Sequence, residues 1–202
     1  MPDSSPAPAR GRYGQAMDGR TDSPPDPVGD RTASTNTTAA VLAHPAVQRV
    51  IGALGAHHVY AEVTVLGGAA RTAAQAAAYL GVSPAQIANS LVFAVRDRPG
   101  TSPVPLLVLT SGAHRVDTTK VADLLDLAEM RRADAEFVRV TTGFVIGAVA
   151  PLGHLRPVRT LVDVSLVRHD TVWAAAGHPR AVFPTSYAEL VRISGGHPIE
   201  VV

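Results

Sequence analysis

The sequence predicts one mixed α+β or α/β domain, and three observations carry that expectation. Segments with helical apolar spacing alternate along the chain with short strand-like apolar runs. Two of those runs, Ser90–Arg96 and Val104–Thr110, are joined by a Gly/Pro loop, as in a hairpin with a long connection. Of the 202 residues 46% are hydrophobic, ample for a core, but only 4% are aromatic, so the core must be built from Ala, Val and Leu. No internal repeat is visible. Residues 1–42 are dense in Pro, Ser, Thr, Gly and Asp and cannot bury enough apolar area to offset chain entropy. They read as a disordered tail, and residues 43–202 as the domain.

The elements follow in order. Val47, Val50, Ile51 and Leu54 recur at helical spacing, with Pro45 in the first turn and Gly55 past the end. A short extended piece, His57–Val63, comes next. Thr72 caps a helix that stops at Gly81, and Ser83-Pro84 opens another short one. After the hairpin, Asp117 caps a helix through Leu125, and Asp134 one through Val138. Strands are expected over Thr160–Val164, Thr171–Ala175 and Arg180–Phe183. Ser186-Tyr187-Ala188-Glu189 has the form of a capping box for a final helix that ends at Gly195-Gly196.

Composition excludes several functions. The formal net charge is +1, so bulk charge announces neither a nucleic acid nor a membrane, although a local basic groove remains open. Cysteine is absent, which removes disulfides, thiolate nucleophiles and Cys-ligated metals. No apolar run reaches the roughly 20 residues that span a bilayer, and the expected setting is the cytoplasm. Eight histidines are present, but none lies in His-Glu-x-x-His. A zinc hydrolase built from scattered His is therefore the weakest functional class. The pairs Asp123/Asp126 and Asp163/Asp170 read as solvated charges. Ser111 and His114 are close in sequence but lack the Gly-x-Ser-x-Gly elbow, and Gly67-Gly68 and Gly195-Gly196 match no phosphate loop.

The stretch Thr141–His154 is too apolar for a surface loop and too rich in Gly and Pro for an ordinary strand or helix. Gly143, Gly147, Pro151 and Gly153 suggest backbone shaped to hold a ligand, or else a bulged core strand followed by a turn. His178, in Ala176-Gly177-His178-Pro179, sits where a rigid loop can aim its ring.

Taken together, Thr72–Gly81, Pro84–Phe93, Gly112-Ala113-His114-Arg115-Val116-Asp117 with Lys120, and Thr142-Gly143 running into Gly147-Ala148-Val149-Ala150-Pro151 resemble the YbaK/prolyl-tRNA synthetase-associated domain family. The last segment matches that family's Gly-x-x-x-Pro pattern. The resemblance implies a compact mixed α/β domain with a curved, largely antiparallel mixed sheet flanked by helices. It also implies editing: hydrolysis, without a metal or other cofactor, of the ester of a mischarged tRNA, such as tRNA for proline carrying Ala or Cys. The partners implied are the aminoacyl-tRNA acceptor end and an aminoacyl-tRNA synthetase, with no membrane. Asn89, Gly147 and His178 become the catalytic candidates, and Tyr60, Ser111, Gly143, Pro151, Gly177 and Lys120 the substrate-binding ones. Arg71, Arg96, Arg98, Arg115 and Arg180 are candidates for the acceptor stem.

Two departures matter. The loop Ala176-Gly177-His178-Pro179 lacks the Ser and Asp of the family's cysteine-specific branch and resembles branches with a His-Pro pair, in which the His helps bind the aminoacyl group. Many active members carry a lysine where this chain has Asn89, which can hydrogen-bond but supplies no charge. Asn89 either belongs to a working variant or merely caps the strand entry. Lys120 either replaces the missing charge or snorkels from its helix. The alternative function is a non-catalytic module that binds a tRNA 3′ end, a small amino acid or a synthetase.

Overall fold

The computed structural model describes residues 37–202. Most of the expected tail lies outside them. Its described end, residues 37–42, is helical, and Val41 is buried in the main core, so the domain starts earlier than composition suggests.

Five helices follow: α1 (Pro45–Ala56), α2 (Ala73–Leu80), α3 (Thr118–Leu124), α4 (Ala135–Thr142) and α5 (Tyr187–Ser194). Eight strands form one open sheet: β1 (Thr64–Val65), β2 (Ile87–Arg96), β3 (Val104–Ser111), β4 (Glu129–Arg132), β5 (Arg159–Asp163), β6 (Val172–His178), β7 (Ala181–Thr185) and β8 (His197–Ile199). The strand order is β1-β7-β6-β2-β3-β5-β8, with β4 on β2. Four pairs are antiparallel and three parallel.

Local chemistry sets the helix ends. The side chains of Thr72, Asp117, Asp134 and Ser186 each accept a backbone N–H of the first turn, and Gly81, Gly143 and Gly195 close helices in the left-handed region. His44 caps α1 through Nδ1, which accepts the Ala46 N–H. Glu189 does not complete a capping box; its carboxylate accepts the Thr185 hydroxyl instead.

The sheet is covered on both faces, which is why Leu106-Leu107-Val108-Leu109 reads as an unbroken apolar run. Leu107 and Leu109 join the main core with Val47, Val50 and Leu54 of α1 and Leu190 and Ile193 of α5. Leu106 and Val108 face the other way, toward Phe93, Val95 and Val121 of α3. Ala76 and Ala77 of α2 pack on Ile87 and Val182.

Two expectations need correction, and two strands were not foreseen. His57–Val63 is not a strand: the His57 N–H bonds back to Ala53 and Leu54 to end α1, His58 takes φ 57°, and only Thr64–Val65 pairs with β7. Thr141–His154 is not a bulged strand either. It begins as the end of α4 and continues as an irregular, largely buried loop. The charged β4 and the Gly-flanked β8 show no apolar alternation, so sequence pattern does not reveal them.

That loop is held by one side chain. Arg49 of α1 donates through Nε to the Gly153 carbonyl at 2.8 Å and through an Nη to the Gly143 carbonyl at 2.8 Å, and it lies 4.5 Å over the Phe144 ring. Hydrogen bonds to a charged donor are each worth about 1.5–3 kcal/mol. Arg49→Ala should therefore cost about 3 kcal/mol in urea denaturation, and Arg49→Lys should recover less than half, because an ammonium lacks the fork. A loss below about 0.5 kcal/mol, within the range of ordinary surface substitutions, would mean that Arg49 does not hold the loop.

Candidate active site

On its outer edge β2 pairs with β6 only at Ile87 and Ala88, and with β4 only from Phe93 onward. Between them the strand edge is unpaired, and a cleft opens there. Its walls are the start of α2 (Arg71, Thr72, Ala73, Ala76), the start of β2 (Ile87–Ser90), Gly147 and Val149 of the loop, and the β6–β7 hairpin (Trp173, Ala175, His178, Pro179, Ala181, Val182). The cavity is about 60 Å3, room for a few waters or one small chemical group. Asn89, Gly147 and His178, far apart in sequence, meet in it.

The hairpin aims His178. Gly177 has φ +86°, and a Cβ there would lie 2.7 Å from the Ala46 carbonyl oxygen, so only glycine allows β6 to approach α1 so closely. A register shift between Ala175 and His178 then re-aims the strand. The Arg180 N–H donates to His178 Nδ1 at 3.0 Å, which requires that nitrogen to be unprotonated and places the remaining proton on Nε2. Burial, then the neighbouring His44 and Arg180, lower the His178 pKa below the usual histidine range. His178 is thus a neutral ring with one N–H to donate.

Gly147 has φ +84° and is exposed, and its N–H has no intramolecular partner among the described residues. The next amide, Ala148, is already used by the Val145 carbonyl. The Ser90 hydroxyl oxygen is buried without a hydrogen-bond partner among the described residues, in the wall shared by this cleft and a second one behind Gly147. A buried unpaired hydroxyl costs stability and points to a ligand or water that satisfies it. Sequence reasoning missed Ser90, because nothing in Asn89-Ser90-Leu91 says which polar atom lacks a partner.

The other candidates lie elsewhere. Tyr60 is 87% exposed in the α1–β1 connection. Ser111 is buried, donating to the Ala85 carbonyl and accepting from the Ala113 N–H. Gly143 caps α4, and Pro151 lines a separate surface hollow with Leu152, Gly153 and His154. Gly177 supports His178 from behind. Lys120 binds Glu200 and the Val202 carbonyl. Of the arginine candidates, Arg71 lines the cleft, Arg180 turns inward to the Leu66 carbonyl, Arg96 pairs with Glu129, and Arg98 is exposed beside the β2–β3 turn. Arg115 lines a neighbouring groove.

Asp163 is buried, which corrects its reading as a solvated charge. Its carboxylate accepts from the Thr110 hydroxyl, the Ser111 and Ser165 N–H groups and His114 Nδ1. Burial opposes ionisation, but the hydrogen bonds from Ser111, Ser165 and His114 outweigh it and hold the carboxyl below the ordinary Asp range.

A family model for the aminoacyl-tRNA editing domain matches residues 68–193, more than half of the chain. The chain belongs to the aminoacyl-tRNA editing domain family. Its relatives in that family include YwhH of Bacillus subtilis (strain 168), 30% identical over 133 residues, covering 66% of this chain and 81% of YwhH. The proline–tRNA ligase of Bacillus licheniformis is 33% identical over 96 residues, 48% of this chain, and the match takes up 16% of that ligase. A crystal structure described as a candidate trans-editing enzyme for prolyl-tRNA synthetase is 35% identical, with a TM-score of 0.69 over 78% of this chain and 96% of that one. The editing-domain fold is therefore shared with solved relatives, and no helix of the described residues is long and apolar enough to cross a membrane.

Two measurements check the site. In a proton NMR titration His178 should titrate below the usual pH of about 6.5, with its proton on Nε2; a pKa at or above that value, or an Nδ1–H tautomer, would remove the neutral-donor assignment. For Asp163 the folded pKa is depressed, so its stabilisation is complete above the unfolded value of about 3.9 and is lost as pH falls through the folded value. Asp163→Asn should cost about 3 kcal/mol at pH 7 and flatten the acid limb of a stability–pH curve.

Proposed function

We propose that this chain is a deacylase that hydrolyses the ester of tRNA mischarged with a small amino acid, of the prolyl-tRNA-editing type. The observation that carries the reading is that His178, with its proton on Nε2, Gly147, whose N–H has no partner among the described residues, and Ser90, whose hydroxyl has none, all line one small cleft in an editing domain.

Water adds to the ester carbonyl carbon and charge builds on the carbonyl oxygen. Two fixed donors, Gly147 N–H and His178 Nε2–H, suit that oxygen, and such donors are each worth about 100-fold or more in rate. The bond from carbonyl carbon to the 3′ oxygen then breaks. The proton lost by water ends on that oxygen, leaving free amino acid and tRNA. No carboxylate lines the cleft, so the terminal ribose hydroxyl of the substrate is the group assigned to orient the water. No metal is assigned to the step; among the described residues no three His, Cys, Asp or Glu side chains are grouped to bind one.

Size sets the amino acid. The apolar wall of Ala73, Ala76, Ile87, Trp173 and Val182 leaves little room, which suits Ala or Cys. One methylene in such a wall is worth only about 1–3 kcal/mol, so exclusion of larger groups has to come from the shape of the whole cleft. Asn89 supplies neutral polar contact with the substrate.

The test is release of amino acid from purified Ala-, Cys- and Ser-charged tRNA for proline. Release should exceed the buffer rate for at least one. His178→Ala should lower kcat/KM about 100-fold, and Ser90→Ala about tenfold, the worth of one neutral hydrogen bond. The neutral side chain at position 89 favours a second reading, a module that binds but does not cleave. Asn89→Lys separates the two: activity rising from none supports the binding module, and loss of an existing activity supports the working variant.

A further inference from the structure

A second groove begins where the cleft ends. Asn89 belongs to both. Asn89, Leu91 and Phe93 occupy alternate positions of β2 and so share one face, which floors the groove for roughly 13 Å at about 3.3 Å per residue. One bank is the loop after β3, with His114 and Arg115, and the other is Arg132 of β4, directly opposite Phe93 in the ladder. The space is about 380 Å3, and its lining contains two arginines and no Asp or Glu.

Those two arginines share their lack of a carboxylate with exposed ones such as Arg98 and Arg156, and differ from them in lining the groove. Arg96 and Arg131 share Glu129, Arg139 pairs with Glu136, and Arg192 with Glu189. Arg115 and Arg132 have no carboxylate partner among the described residues, and Arg132 only lies near the Phe93 ring, 5.7 Å from its centre. Two uncompensated guanidinium groups along a channel leading from the cleft are complementary to a polyanion. Phe93 is 1% exposed, so the groove offers no open aromatic face on which bases could stack.

We propose that this groove takes the sugar–phosphate backbone of the single-stranded tRNA 3′ end as it leaves the cleft, with Arg115 and Arg132 each neutralising a phosphate. The assignment rests on the deacylase reading and adds the path of the RNA. Contact is with backbone rather than base edges, so this groove discriminates little between tRNAs, and selection falls to the aminoacyl cleft.

The experiment measures binding of uncharged tRNA by fluorescence anisotropy across a salt series. Its proteins are wild type, the double variant Arg115→Ala/Arg132→Ala, its Lys/Lys counterpart, and a control pair of equal charge loss, Arg98→Ala/Arg156→Ala. Each single-strand phosphate contact contributes about 0.7 to the slope of log K against log salt. The Ala pair should therefore flatten the slope by about 1.4, the Lys pair should keep most of it, and the control should keep all. On tRNA lacking its terminal CCA, the Ala pair should change nothing. An unchanged slope, an equal loss in the control, an equal loss on the shortened tRNA, or no tRNA binding by wild type would each overturn the proposal. Arg-dependent binding without amino-acid release would support the groove and sink the deacylase reading, so the two fail separately.

Discussion

The site depends on Arg49. A loop that is apolar, buried and without regular structure has few backbone bonds of its own, and here its two ends are tied to a single guanidinium. The same group lies over Phe144, whose ring packs edge-on with His154, and His154 donates from Nε2 to the Ala150 carbonyl. Burial lowers the His154 pKa most, the bond to the Ala150 carbonyl opposes it and the charge of Arg49 lowers it further, so the half-buried Arg49 fixes the loop without a second cation competing for the space. Gly147, four residues beyond one tie, is thereby presented to the cleft with a free N–H. Helix α1 serves the site twice, since its first turn also backs Gly177 and through it His178.

The location of the cleft follows from sheet geometry. Strand β2 runs alongside β6 for two residues and alongside β4 for four, and the gap between those pairings leaves main chain unpaired. In most proteins such an edge is covered or charged. Here the α2 start and the Gly147 loop lean over it, and the result is a small chamber in which the donors Gly147, His178 and Ser90 are neutral and Arg71 adds a formal charge to the wall. Neutral donors suit a site where negative charge appears only transiently, because they hold no counter-ion in the resting state. Two further formal charges lie outside, on the arginines of the adjoining groove.

Much of this was legible in the residues. The helix caps Thr72, Asp117, Asp134 and Ser186 and the β2–β3 hairpin follow from local chemistry, which a sequence carries directly. The grouping of Asn89, Gly147 and His178 came from the family resemblance rather than from local chemistry, and in the structure all three line one cleft. Long-range chemistry was not legible. The partners of Asp163 come from the distant stretch Thr110–His114 and from Ser165 beside it, so a carboxylate that looks solvated is buried. Arg49 looks like any surface arginine of an amphipathic helix until the loop it clamps is folded against it. Ser90 differs from a satisfied strand serine only in what it fails to touch. β4 was invisible because Glu129, Arg131 and Arg132 pair through their backbones while their side chains stay in water.

The chain contains a single tryptophan, and it sits in the wall of the cleft rather than in the main core. Its indole emission therefore reports on this chamber and is nearly blind to the core built on α1 and α5. Occupancy can be followed without a label. An unfolding curve recorded by fluorescence will describe the opening of the α2 flank, and only circular dichroism will describe the collapse of the whole sheet. A gap between the two curves would measure how far the chamber loosens before the domain does.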